Sequence, residues 1–254
     1  MKKTVLFDLD GTLTDSAPGI LNSVRFALRK AGAPIPDAAT LNRFIGPPLL
    51  DSFERFCGFD RAAAEQALRD YRAYFTAGGM FENRVYDGIV PMLERLHDAG
   101  LACIVATSKP ERFARQILDH FDLTRHFAAI HGATLDERRN TKGAVIAWAL
   151  AHSGDVGDAV MVGDRIHDVE GARQNGLPAV GVLWGYGDAQ ELAGATRLVS
   201  TPEELCDEIL LQLEHPLSTS NFSLRPIPNF LSRLRAPGSH RQARAGLDLF
   251  MCVV

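Results

Sequence analysis

At 254 residues, with 46% hydrophobic and 23% charged residues, the chain has enough apolar matter to bury one large domain or two smaller ones. A formal charge of −4 argues against a nucleic-acid polymer as partner, and no apolar run approaches the roughly 20 residues of a membrane helix, so no membrane is expected either. Cys57, Cys103, Cys206 and Cys252 form no CxxC pair, the usage expected of reduced thiols, and Asp8 and Asp10 cut the opening apolar stretch too short for a secretory signal; the expected location is cytoplasmic.

The first element is an apolar run, Val5-Leu6-Phe7, ending in Asp8 and Asp10. At continuing strand pitch both acids would point to one side, and acids so placed repel unless a cation lies between them. Gly11 then permits a turn that residues with a Cβ resist. From residue 16 to 84 the pattern is helical. Ile20, Val24, Ala27, Leu28 and Ala31 make one stripe, Leu49, Phe53 and Phe56 a second, and Ala64, Leu68, Tyr71 and Phe75 a third. Gly78-Gly79 and Asp87-Gly88 punctuate the exit.

Short apolar runs then alternate with helices. The runs are LACIVAT (101–107), FAAIHGA (127–133), AVMVGD (159–164) and PAVGVLW (178–184); the helices fall near 89–99, 110–120, 141–152, 166–175 and 202–213. This alternation predicts βαβ units and a parallel sheet that the opening strand joins. The expected domains are therefore an α/β core of residues 1–15 and 85–214 and a helical insertion of residues 16–84, beside the C-terminal end of the first strand. Residues 215–254 carry five arginines and one acid, about +4, which leaves about −8 for residues 1–214 by subtraction from −4. With no clear period, this tail is expected to be disordered. Phe222, Phe230, Leu231 and Phe250 would be its candidates for binding a partner.

Ligands of open parallel sheets bind at the C-terminal ends of the strands, and four unusual polar sites collect there. The first is Asp8/Asp10 with Gly11-Thr12. The second is Thr107-Ser108, where Ser108 either cradles an anion at a helix N-terminus or merely caps the helix that Pro110 begins. The third is Lys142, a cation in a first helical turn, where it opposes the helix dipole unless a phosphate is near; a solvated surface lysine is the alternative. The fourth is GDRIHD, with Asp164 after an apolar run and Asp168 one helical turn later; each alone could be an N-cap or a first-turn acid.

DLDGTLTDS, ATSK, TKGAVI and GDRIHDVEGA resemble, in that order, the four signature motifs of the haloacid dehalogenase-like (HAD) hydrolases in their phosphatase branch. The likeness runs from residue 3 to about 213. It implies a Rossmann-like parallel sheet core with an inserted α-helical cap, as in the phosphoglycolate phosphatase-like subgroup. RFIGPPLLDSF and MFENRVYDGI look most like bacterial 5'-nucleotidase-like members.

The resemblance further implies a magnesium-dependent phosphatase acting on a small phosphorylated metabolite. Asp8 would be the nucleophile that forms an aspartyl-phosphate, and Asp10 the acid and base. Ser108 (or Thr107) and Lys142 would hold the phosphoryl oxygens. The metal would take the carboxylates of Asp8 and Asp164 and the backbone carbonyl of Asp10, with Asp168 acting through water or supporting the others. Arg43 and Gly46, in the loop Arg43-Phe44-Ile45-Gly46-Pro47-Pro48, and Lys109 would contact the leaving group. An acid at position 10 disfavours a dehalogenase, which needs no proton shuttle there. A phosphomutase shares the core motifs, and a non-catalytic binding module would be expected to lack one of them. Nothing in the sequence bears on oligomeric state.

Overall fold

A computed structural model describes residues 3–135 and 138–214; the expectations for residues 215–254, including Phe222, Phe230, Leu231 and Phe250, lie outside them. Strand β1 (Lys3–Phe7) buries Val5, Leu6 and Phe7 completely. Burial of such side chains stabilises by about 1.5–3 kcal/mol each. A two-residue strand β2 (Thr14–Asp15) leads into α1 (Ala17–Lys30), α2 (Ala38–Asn42), α3 (Leu49–Cys57) and α4 (Arg61–Thr76). Strand β3 (Arg84–Val85) returns antiparallel to β2, and Arg84 Nε lies 3.2 Å from Asp15 Oδ2. The entry and exit of the helical segment are thus pinned together. Strands this short carry no periodicity, which is why neither was foreseen.

The chain continues through α5 (Ile89–Asp98), β4 (Ala102–Pro110), α6 (Glu111–His120), β5 (Ala129–Ala133), α7 (Lys142–His152), β6 (Asp158–Gly163), α8 (Ile166–Gln174), β7 (Ala179–Val182), β8 (Arg197–Val199) and α9 (Pro202–Glu214). The six longer-range strands form one sheet in the order β5-β4-β1-β6-β7-β8, all parallel, as the βαβ pattern predicts. Of this sheet's strands, β8, three residues long, was the one missed.

Alternation along the strands divides the core. Leu6, Ile104, Ala106 and Met161 face the side covered by α7 and α8; Val5, Phe7, Cys103, Val105, Val160 and Val162 face the other, with α5, α6 and α9. The second cluster continues without a break into Phe44, Phe53, Ala64 and Tyr71 of the helical segment. Within that segment α1 and α3 pack on α4, and Lys30 Nζ meets Asp70 Oδ1 at 2.6 Å.

The chain reverses direction of travel across the sheet at β1, running outward through β4 and β5 and then returning to β6 on the other side. Phe7 stands opposite Val105 and Val162, so the residues after β1, β4 and β6 converge on one edge. That is the crevice where parallel sheets hold ligands.

Candidate active site

Asp8 follows β1, with its backbone N–H donating to Val162 O at 2.9 Å. Asp164 follows β6, and Asp168 occupies the first turn of α8, where its Oδ2 accepts from the Arg165 N–H at 3.0 Å. All three are buried, and one carboxylate oxygen from each lies within 4.8 Å of the others. Asp164 is not the cap of α8, because Arg165 holds that position; its own oxygens accept from Thr12 Oγ1 at 3.1 Å and from the Tyr186 N–H at 2.8 Å. Gly11 and Gly185 make this approach possible: a Cβ on either would stand 2.2–2.3 Å from Asp164 side-chain atoms.

Lys142 opens α7, with Thr141 at its N-cap, but it is not a surface lysine: its side chain is 3% exposed. Nζ lies 2.7 Å from Asp8 Oδ1 and 2.8 Å from Asp168 Oδ1, and it donates to Ala106 O at 3.2 Å. One ammonium thus bridges the two carboxylates. Burial pulls the Lys142 ammonium down, but Asp168 and Asp8 outweigh it and carry its pKa above the ordinary lysine value. Burial, together with the charges of Asp168 and Asp8, pushes Asp164 well above the carboxylate range. Asp168 is pushed up to about 6 by burial, against the downward pull of Lys142.

Beside burial, these shifts share an electrostatic cause. Three carboxylates share one ammonium, so the fully ionised cluster carries −2 by that count. A divalent cation would bring it to zero, and the three clustered, buried carboxylates are hard oxygen donors of the kind magnesium takes. The donor set therefore fits such an ion.

Asp10 is not one of the three acids of this cluster. Its Oδ2 lies 2.7 Å from Lys109 Nζ, which also sits 4.9 Å from the centre of the Phe75 ring in α4. Lys109 thus spans from the sheet to the helical segment. Strand pitch does not continue through the two acids, because β1 ends at Phe7 and the chain turns: the N–H groups of Leu13 and Thr14 both donate to Leu9 O.

The helix-cap expectation for Ser108 also fails. The chain stays extended through Ser108 and Lys109, α6 begins at Glu111, and Pro110 takes the N-cap position. The ring of Pro110 disfavours helical geometry at the residue before it. Thr107 is buried, with Oγ1 accepting from the Lys109 N–H at 3.2 Å, and Ser108 is half-buried at the same strand end.

In the 43–48 loop Arg43 is exposed, with its guanidinium 4.4 Å from the centre of the Phe56 ring. Gly46 has φ +105° and lies against Arg165, whose Nη1 donates to Ile45 O. Arg165, Glu191 and Tyr186 were not singled out from the sequence. The GYG run at 185–187, an aromatic between two glycines after β7, was the available signal for Tyr186.

A carboxylate triad with one buried lysine, a fourth acid paired with a second lysine, and a helical segment thus meet at the strand ends of a parallel α/β sheet, the arrangement of a hydrolase core. The haloacid dehalogenase-like hydrolase profile matches residues 5–182, and the chain belongs to that family. It is 49% identical to a 5'-nucleotidase of Pseudomonas aeruginosa over 189 residues, which cover 74% of this chain and 86% of the relative. It is 45% identical to the tyrosine-protein kinase PtkA of Mycobacterium tuberculosis over 206 residues, 81% of this chain and 70% of that one. The crystal structure of a predicted phosphatase from Clostridium acetobutylicum superposes with a TM-score of 0.79 at 48% identity, covering 83% of this chain and 99% of that one.

Proposed function

We propose that the protein is a magnesium-dependent phosphatase that hydrolyses a small phosphomonoester, of 5'-nucleotide or phosphoglycolate type, through an aspartyl-phosphate on Asp8. The observation that carries this reading is the division of the two opening acids. Asp8 belongs to a buried cluster short of positive charge, whereas Asp10 is turned to Lys109. One acid is thereby suited to attack phosphorus and the other to move protons.

In this reading Asp8, Asp164 and Asp168 hold the ion, with the Asp10 carbonyl. The chemistry magnesium supplies when bound is neutralisation of charge between a carboxylate and a phosphate dianion, which otherwise repel. Asp8 Oδ attacks phosphorus and the ester P–O bond breaks, while Asp10 gives its proton to the leaving alcohol oxygen. Asp10, now a carboxylate, takes a proton from the water that displaces Asp8 from phosphorus. Lys142 and the Thr107-Ser108 strand end hold the non-bridging oxygens, where fixed positive charge and donors stabilise the transition state. Residues 16–84 serve as the cap, and Arg43, Gly46 and Lys109 contribute to the choice of leaving group.

The name of the Pseudomonas relative supports the nucleotide side of the substrate class, and that of the mycobacterial relative keeps phosphoryl transfer to tyrosine in view. The test is a turnover screen over nucleoside monophosphates, phosphoglycolate and sugar phosphates, with magnesium and with excess chelator. Phosphate release that needs magnesium and is inhibited by calcium is expected, because calcium takes more ligands at longer distances. Full activity in chelator refutes the metal assignment. Transfer to tyrosine peptides without phosphate release refutes the hydrolase.

A further inference from the structure

Arg165 follows Asp164 directly, yet its side chain leads away from the acid cluster. Nε donates to Glu191 Oε1 at 2.7 Å, and Nη1 donates to the backbone carbonyl of Ile45. The contact joins residues 120 apart in sequence and crosses from the sheet edge to the helical segment. Both partners of the ion pair are well covered, with side chains 18% and 25% exposed.

The sheet end of this link is fixed. Glu191 Oε1 also accepts from the Ile166 N–H at 3.0 Å, and the Glu191 N–H donates to Asp188 Oδ1 at 2.8 Å. A guanidinium presents several donors in a rigid plane, so one end can be clamped while the other reaches out. The loop end is shaped to receive it. At Gly46, in a left-handed conformation at φ +105°, a Cβ would stand only 3.1 Å from Nη1. A donor to a main-chain carbonyl positions the loop whatever side chains the loop carries.

We propose that Arg165 is a positioning residue for leaving-group recognition: clamped by Glu191, it holds the Ile45 carbonyl and so presets the 43–48 loop within one arginine's length of Asp164. The inference rests on the phosphatase reading. Substrates whose leaving group reaches the loop then find it already placed. Without the link, each binding event must order the loop, and that cost appears in KM rather than in the chemical step. A substrate with a leaving group too small to reach the loop is indifferent to it.

The experiment compares wild type, Arg165→Ala and Glu191→Ala on adenosine 5'-monophosphate and on acetyl phosphate, together with amide hydrogen exchange at residues 43–48. Each substitution removes one end of the link. For both variants KM for the nucleotide is expected to rise about tenfold, the loss of one charge-assisted hydrogen bond. The nucleotide kcat and both constants for acetyl phosphate should stay within about twofold, and residues 43–48 should exchange faster. Equal losses on both substrates, or an unchanged nucleotide KM in a turning-over enzyme, overturn the proposal. If wild type hydrolyses neither substrate, the nucleotide side of the substrate class falls, and exchange alone decides the link: unchanged protection at 43–48 in both variants overturns it, and faster exchange sustains it.

Discussion

Lys109 Nζ holds Asp10 Oδ2 at 2.7 Å, while Lys142 Nζ holds Asp8 Oδ1 at the same distance. The two acids of the DxD pair thus have separate cations and separate surroundings. Asp10→Asn should therefore leave magnesium binding intact and slow proton-dependent steps by a factor on the order of 10² to 10⁴. The check is the dependence on leaving group. Esters of acidic phenols should lose little in the transfer step and esters of alkyl alcohols much; equal losses would remove Asp10 from the proton-shuttle role.

Asp164 lies in a cluster with more negative charge than Lys142 can balance. Asp164→Asn keeps an acceptor for the Tyr186 N–H, can turn its amide N–H to donate to Thr12 Oγ1, and removes one charge. The metal-free variant should be more stable than metal-free wild type, by on the order of 1 kcal/mol, or roughly 2–4 °C in Tm. Its stabilisation by magnesium should largely disappear. Thermal melting with and without magnesium reads both, and a metal-free Tm below that of wild type would count against the charge argument.

The same cluster sets a pH dependence. Asp164 and Asp168 have folded-state pKa values raised above 3.8, Asp168 to about 6. The stability each contributes is fully present below the unfolded value near 3.8 and is lost as pH rises through its own folded value, about 6 for Asp168. Lys142, shifted upward, stays charged throughout this window. Magnesium competes with those protons, so the rise in Tm on adding it should be larger at pH 7.5 than at pH 5. Equal rises at both pH values would contradict the assignment of the site.

Much of the site was legible because its residues fall in short runs at strand ends: Asp8 and Asp10 after VLF, Asp164 after AVMVG, and Lys142 after the Thr141 cap. The parallel sheet followed from apolar runs alternating with helices. What was not legible depends on contacts between distant segments. Periodicity carries no sign that Asp10 meets Lys109, that Tyr186 donates to Asp164, or that Arg165 crosses to Ile45. Ser108 misled because a serine two residues before a proline is also a helix-cap signal, and only the restriction that Pro110 places on Lys109 decides against it.

Lys142 and Arg43 should separate phosphate recognition from leaving-group recognition. Lys142→Ala leaves Asp8 and Asp168 without that cation, so it should destabilise the metal-free protein by about 3–5 kcal/mol and depress all substrates together. Arg43, exposed and stacked on Phe56, should on truncation reorder substrates with little change in Tm. Rate constants over the same substrate set for both variants decide it. A uniform effect of Arg43→Ala would place it outside recognition.

The central claim is that Asp8 carries the phosphoryl group. Rapid acid quench of turning-over Asp10→Asn protein, in which release of phosphate is slowed, followed by tryptic digestion and mass spectrometry of residues 4–25, tests it directly. The account predicts a phosphoryl increment on that peptide, located at Asp8 by fragmentation and absent from Asp8→Asn. Turnover with no phosphorylated peptide, or with the group on another residue, would contradict it.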